Sequence, residues 1–267
     1  MRAPKLHQTM LRVADLDTAV RFYSDGFGMS VLEQGEGSVF VGFAGERSGA
    51  PIELVSDPDH DGGYSHGTAY GHVAVAVDDV PEVFARLTAM DAGVILPPGI
   101  VTSGGPVCAF VTDRDGYAVE LVEGRTPASE DTGFDPKNVI LGPRDGVRRI
   151  LHTMLRISDV DAAIRFYVEG LGMTLLERID IEAKGGVTAL FVGYGADAGG
   201  RQLELSFYRA ATEPYTHGTG FGHVAIGLPD PDALCARLDA LGIDHEVTPA
   251  GLSVKDPDGH NFLISRG

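Results

Sequence analysis

His7-Gln8-Thr9-Met10-Leu11-Arg12-Val13 returns later in the chain as Leu151-His152-Thr153-Met154-Leu155-Arg156-Ile157, and that return decides the fold. The likeness extends outward from both copies. Arg21-Phe22-Tyr23 and Phe27-Gly28-Met29 are answered by Arg165-Phe166-Tyr167 and Leu171-Gly172-Met173. Ile52-Glu53-Leu54 is answered by Leu203-Glu204-Leu205, and Tyr70-Gly71-His72-Val73-Ala74 by Phe221-Gly222-His223-Val224-Ala225. The copies part at one chemically decisive position: Glu120, in Asp115-Gly116-Tyr117-Ala118-Val119-Glu120, faces Leu263 of Asp258-Gly259-His260-Asn261-Phe262-Leu263. A repeat of this length governs the fold before any local preference does.

Copy one runs over residues 4–125 and copy two over 148–267. Residues 126–147 between them are rich in Pro, Gly and Asp without periodicity, as in a linker. Each copy halves again. The alternation of Thr9–Val13 ends at Asp15, a strand followed by a helix N-cap. Leu16, Ala19, Val20 and Tyr23 then recur at helical spacing up to Gly26 and Gly28. Strand-like runs follow at Val39–Phe43 and Pro51–Val55. The next half gives strand His72–Val77, helix Pro81–Met90, and strands Gly93–Leu96, Val107–Val111 and Tyr117–Val122. Copy two repeats the plan, with helices near Asp161–Glu169 and Asp232–Leu241. The expected fold is α+β, with four βαβββ modules.

The 267 residues suffice for two cores, and 43% hydrophobic and 22% charged residues are ordinary for a globular chain. No apolar run approaches the ~20 residues that span a bilayer. No apolar stretch follows the N-terminal basic residues, so a secretory signal is not expected. Cys108 and Cys235 read as isolated thiols of a reducing compartment, and the expected location is cytoplasmic. The formal charge of −17 argues against nucleic acid or an anionic membrane as partner, since both need a basic footprint.

The ligand-type side chains fall at equivalent points of the four halves. Gln8 or His152 opens the first strand of a copy, and Glu53 or Glu204 lies between apolar neighbours in the last strand of that half. His72 or His223 opens the next half, and Glu120 closes it. A buried Glu is normally paired or metal-bound. Imidazole with carboxylate suits zinc, nickel, cobalt, iron or manganese.

The runs Thr9–Val13, Gly67–Val77 and Asp113–Leu121, with the Glu-Leu strands, make the chain resemble glyoxalase I of the vicinal oxygen chelate superfamily, in a tandem two-copy form. The resemblance implies two domains with curved mixed sheets and a four-ligand divalent metal site. Its ligands carry over to Gln8, Glu53, His72 and Glu120, and to His152, Glu204, His223 and Leu263. If each copy kept its own site, one would be complete and one broken. If halves cross-pair, His72, Glu120, His152 and Glu204 form a full site, and Gln8, Glu53, His223 and Leu263 a degenerate one. Two deletions favour cross-pairing. The stretch Thr9–Glu53 is shorter than Thr153–Glu204 by about a hairpin, and Gly242–Asp256 lacks the Gly-rich loop around Thr102-Ser103-Gly104-Gly105. Both shortened halves belong to the Leu263 site, and loops become dispensable where no substrate binds.

The activity implied is conversion of a thiol–2-oxoaldehyde hemithioacetal to an S-2-hydroxyacyl thioester through an enediolate, with Glu120 and Glu204 as proton carriers. His as first ligand resembles the nickel- or cobalt-activated branch, with zinc the alternative. Arg156 matches the arginine that holds a glutathione carboxylate. Tyr208 replaces an expected asparagine and Thr102 an expected lysine, so the thiol is glutathione or another small thiol. The partner is thus a small-molecule substrate, and one chain is expected to act as a monomer because its copies pair internally. Two other classes stay open: an extradiol-type dioxygenase, which needs only two His and one Glu on Fe(II), and a non-enzymatic drug-binding protein.

Overall fold

The computed structural model describes residues 3–45, 49–56, 63–101, 105–123, 148–182, 185–195, 201–249 and 251–267. The expected linker and Thr102 lie outside them. Copy one contains β1 (Lys5–Arg12), α1 (Leu16–Phe27), β2 (Ser30–Gly35), β3 (Ser38–Gly42), β4 (Ile52–Val55), β5 (Tyr70–Val77), α2 (Val80–Ala89), β6 (Gly93–Ile100), β7 (Val107–Thr112) and β8 (Ala118–Glu123). Copy two contains β9 (Arg149–Arg156), α3 (Val160–Ala163, continuing as a π-helix over Ile164–Gly170), β10 (Thr174–Ile181), β11 (Val187–Gly193), β12 (Gln202–Tyr208), β13 (Phe221–Leu228), α4 (Pro231–Leu241), β14 (His245–Thr248), β15 (Gly251–Lys255) and β16 (Asn261–Arg266).

The four helices among the described residues start alike. Asp15, Asp79, Asp159 and Asp230 each accept a hydrogen bond from the backbone N–H three residues on. Each such cap contributes about 1 kcal/mol. The strand after α1 was not foreseen from the apolar pattern. All of β2 is exposed, so it has no buried alternation to display.

Two eight-stranded mixed sheets result. One has the order β14-β15-β16-β13-β1-β4-β3-β2, the other β10-β11-β12-β9-β5-β8-β7-β6. Each sheet takes four strands from each copy. The first unites the front half of copy one with the back half of copy two, and the second takes the other two halves. The outer hairpins of the first sheet are shorter: β2 and β14 have 6 and 4 residues, against 8 each in β10 and β6.

By density of contacts the chain forms two compact units. One comprises Val13–Gly63 and His72–His152. Its core holds Phe22, Tyr23, Phe27, Leu87 and Leu121, and the Tyr23 hydroxyl donates to Asp113 at 2.9 Å. The other comprises Met1–Arg12, Tyr64–Gly71 and Thr153–Gly267. There Tyr167 donates to Asp256 at 2.6 Å, and His260 Nδ1 lies 2.9 Å from the same carboxylate. The same corner is thus built twice, with His260 standing where copy one has Tyr117.

Candidate metal centre and substrate pocket

In the parallel β5–β8 ladder Ala74 pairs with Glu120. His72, two residues before Ala74, shares its face of the sheet. The result is a buried meeting of three donors. His72 Nε2 lies 3.2 Å and His152 Nε2 3.7 Å from Glu120 Oε2. The two Nε2 atoms are 3.4 Å apart. Side-chain exposure is only 9%, 7% and 13% for His72, His152 and Glu120. Phe110, on β7 opposite Glu120, packs edge-on against His72 with ring centroids 5.2 Å apart.

The approach of His72 to the sheet is tight. A Cβ on Gly71 would collide with the Met154 sulfur and methyl and come 3.1 Å from the Met154 carbonyl oxygen. Only glycine fits in front of this candidate ligand histidine without displacing backbone. Cys108 pairs with Val122 on the face that carries Glu120. Burial first, and then the neighbouring Glu120 charge, push its thiol pKa up to about 12. It is a small packing residue there, not a nucleophile.

Glu204 lies on β12, and Ser206 on the same face donates its hydroxyl to Glu204 Oε1 at 2.7 Å. Glu204, His152, His72 and Glu120 sit on β12, β9, β5 and β8, four successive strands of one sheet. Two imidazoles and two carboxylates are a donor set suited to a divalent first-row metal. Two imidazole Nε2 atoms and a carboxylate oxygen so close together are donors that one cation could accept from at once.

The other expected set lies in the other sheet. Gln8 pairs with Ala225, Ala225 with Leu263, and Met10 with His223. A bulge between Leu6 and Gln8 leaves His7 out of the register. His223 is mostly buried, its Nε2 has no hydrogen-bond partner among the described residues, and burial followed by the Arg12 charge lowers its pKa. Glu53 pairs with Phe40 on β3.

The strand register exposes a further regularity of the chain. Each ligand-position Glu is paired across the ladder with a phenylalanine: Phe40 with Glu53, Phe110 with Glu120, Phe191 with Glu204. Leu263 is paired with Ser253. The aromatic wall and the carboxylate are absent together.

Arg156 and Tyr208 end the strands that carry His152 and Glu204. Arg156 Nη1 donates to the carbonyls of Thr68 and Tyr70, each at 2.8 Å, and the guanidinium lies 5.7 Å from the centroid of the Tyr208 ring. Tyr208 lines a cavity of about 440 Å³. Thr102, the third expected substrate contact, is outside the described residues.

The family model for the Glyoxalase/Bleomycin resistance protein/Dioxygenase superfamily matches the chain twice, over residues 5–121 and 149–264. Lactoylglutathione lyase GLX1 of Arabidopsis thaliana is 34% identical over 271 residues, covering 95% of this chain and 88% of that protein. The lactoylglutathione lyase of Haemophilus influenzae is 40% identical over 127 residues, 45% of this chain and 93% of its own length. Among solved structures, glyoxalase I from Zea mays superposes with a TM-score of 0.80 at 28% identity, covering 99% of this chain and 92% of that one. The chain belongs to the Glyoxalase/Bleomycin resistance protein/Dioxygenase superfamily, as a glyoxalase I-like member.

Proposed function

We propose that the chain isomerises a thiol–2-oxoaldehyde hemithioacetal to an S-2-hydroxyacyl thioester at one site, formed by His72, Glu120, His152 and Glu204. It is an enzyme of the glyoxalase I class. The observation that supports the site most is the buried convergence of two imidazoles on Glu120. The second carboxylate, Glu204, weighs against the dioxygenase reading, which needs only one.

His72, Glu120, His152 and Glu204 would hold the divalent ion, nickel or cobalt in preference to zinc. Bound there, such a cation supplies Lewis acidity for negative charge developing on the substrate oxygens. Glu120 takes the proton from the hemithioacetal carbon. The electron pair left behind forms the enediolate; a proton returned to the neighbouring carbon, with the hydroxyl proton of the first carbon passing to the oxygen of the second, gives the thioester. Glu204, held by Ser206, serves the opposite side of the substrate. Phe110 and the low exposure of the donors keep water from competing for the proton. Gln8, Glu53, His223 and Leu263 lack the fourth donor and are assigned no metal.

We further propose a cytoplasmic location and action as a monomer. Among the described residues no helix is long and apolar enough to cross a membrane.

Metal analysis tests this assignment. The wild type is expected to hold about one ion per chain, as a single four-donor site requires. The double variant His72→Ala, His152→Ala should lose it, and Gln8→Ala should keep it. Loss in Gln8→Ala with retention in the double variant would move the centre to the other sheet.

A further inference from the structure

We infer that the first sheet, at the end where Leu263 stands for the carboxylate, binds a small organic carboxylate carried on a flat apolar body. The inference does not rest on the lyase reading. It rests on a cavity of about 390 Å³ whose lining includes Tyr70, Phe221, His217, Lys255, Asp258 and Asn261. The lining lies within one compact unit, that of Tyr64–Gly71 and Thr153–Gly267.

The strand register shows how this face differs from its counterpart. Leu263 pairs with Ser253, and the next pair on the same face is Asn261 with Lys255. In the other sheet the equivalent pairs are Glu120 with Phe110 and Ala118 with Thr112. All four residues of the patch differ. Leucine replaces the acid, and lysine and asparagine replace threonine and alanine beside it. Loss of a metal ligand calls for neither lysine nor asparagine. The pair reverses the charge of the face.

The walls define the rest of the ligand. Tyr70 and Phe221 stack with ring centroids 5.1 Å apart and 21° between their planes. Such a pair offers apolar surface to a planar body. Lys255 is exposed, and it forms no ion pair among the described residues. Asn261 Nδ2 donates to the Gly222 carbonyl at 3.2 Å, which engages one of its two amide hydrogens. The other hydrogen and the Lys255 ammonium are donors for a carboxylate. The acid of the lining, Asp258, is engaged in its own turn. Its Oδ1 accepts from the Ser158 N–H at 3.0 Å, and its carbonyl oxygen lies 2.7 Å from His217 Nε2. One lysine on a chain of formal charge −17 attracts an anion only at short range, so salt should weaken the binding.

Calorimetric titration of the metal-loaded protein with 3-phenylpropionate, 3-phenylpropanamide and propionate tests the site. The first has both charge and ring, and the others lack one each. It is expected to bind saturably and at least about tenfold more tightly than either. Lys255→Met should weaken it at least about tenfold, while Lys255→Arg keeps most of the affinity. Removing the metal with a chelator should leave the binding in place, which separates this cavity from the metal centre. An acid bound no better than its amide, an affinity unmoved by Lys255→Met, binding lost with the metal, or no saturable binding each overturns the inference. The lyase reading is judged separately, by thioester formation.

Discussion

Ser206 shows how much one hydroxyl can decide. It is almost wholly buried, and its hydroxyl fixes one oxygen of Glu204. Ser206→Ala should leave Glu204 in place but remove the hydrogen bond that orients its Oε1, lowering kcat several-fold with a smaller change in KM. Stability should fall by about 1 kcal/mol, the usual net value of such a bond. Steady-state kinetics and urea unfolding read the two effects separately. Asp113 supplies a pH prediction. Burial, outweighing hydrogen bonds from Tyr117 and Tyr23, raises its pKa to about 7, above the ~3.9 of an unfolded Asp. Its contribution to stability is therefore fully present below pH ~4 and is lost as the pH rises through about 7. His260 acts in the same sense: burial opposes its charge, but the Asp256 hydrogen bond and charge win and raise it. Its contribution is lost as the pH rises through the raised value. His223 is lowered and loses its contribution as the pH falls. Asp113→Asn should flatten the metal-free stability profile between pH 4 and 7; an unchanged slope in urea titrations would show that the carboxylate ionises freely in the fold. The ligand-type residues were legible because four modules repeat their types. Ser206 and the Phe–Glu pairs were not, because cross-strand partners depend on register, which a linear pattern does not carry.

At the scale of elements, the two glycines before the ligand-position histidines differ in what surrounds them. The atoms nearest a Cβ at Gly222 are the end of the Met10 side chain and, at 3.5 Å, Arg12 Nη1. At Gly71 the Met154 carbonyl is in the way as well. Gly71→Ala should therefore cost about 1–3 kcal/mol, as overpacking does, and Gly222→Ala less, since a flexible methionine can swing aside. Thermal unfolding of both variants gives the order. Element type was readable wherever one face is buried, as in α1, whose Ala19, Phe22, Tyr23 and Phe27 are all buried. It failed for β2, which is exposed throughout. It also missed the π-helix at Ile164–Gly170, since Arg165-Phe166-Tyr167 matches Arg21-Phe22-Tyr23 of an unbroken α-helix and offers no local warning.

At the scale of the molecule, copies and sheets are different partitions of the chain. A protease site placed in residues 126–147 and cut after purification should leave both fragments eluting together on size exclusion, because each sheet draws four strands from each. Elution as two separate fragments would contradict the strand order. The thiols report on the same integrity. Cys108 is buried and Cys235 half-buried, so alkylation of the native protein should label Cys235 first, with Cys108 following only on unfolding. Mass spectrometry of the labelled peptides distinguishes them. The pairing of halves was legible only through the two deletions and Leu263, which agree on one sheet; composition and charge carried no trace of it.

That strand order also sets the terms on which such a chain can be rebuilt. A chimera that takes one whole copy from a relative replaces four neighbouring strands in both sheets at once and creates a foreign seam down the middle of each. The module that can be exchanged without such a seam is a sheet, written in the gene as two stretches separated by the other. Grafting the longer hairpins and a glutamate at position 263 into the first sheet would therefore touch both ends of the chain, leave its centre native, and ask whether a second working pocket can be recovered beside the first.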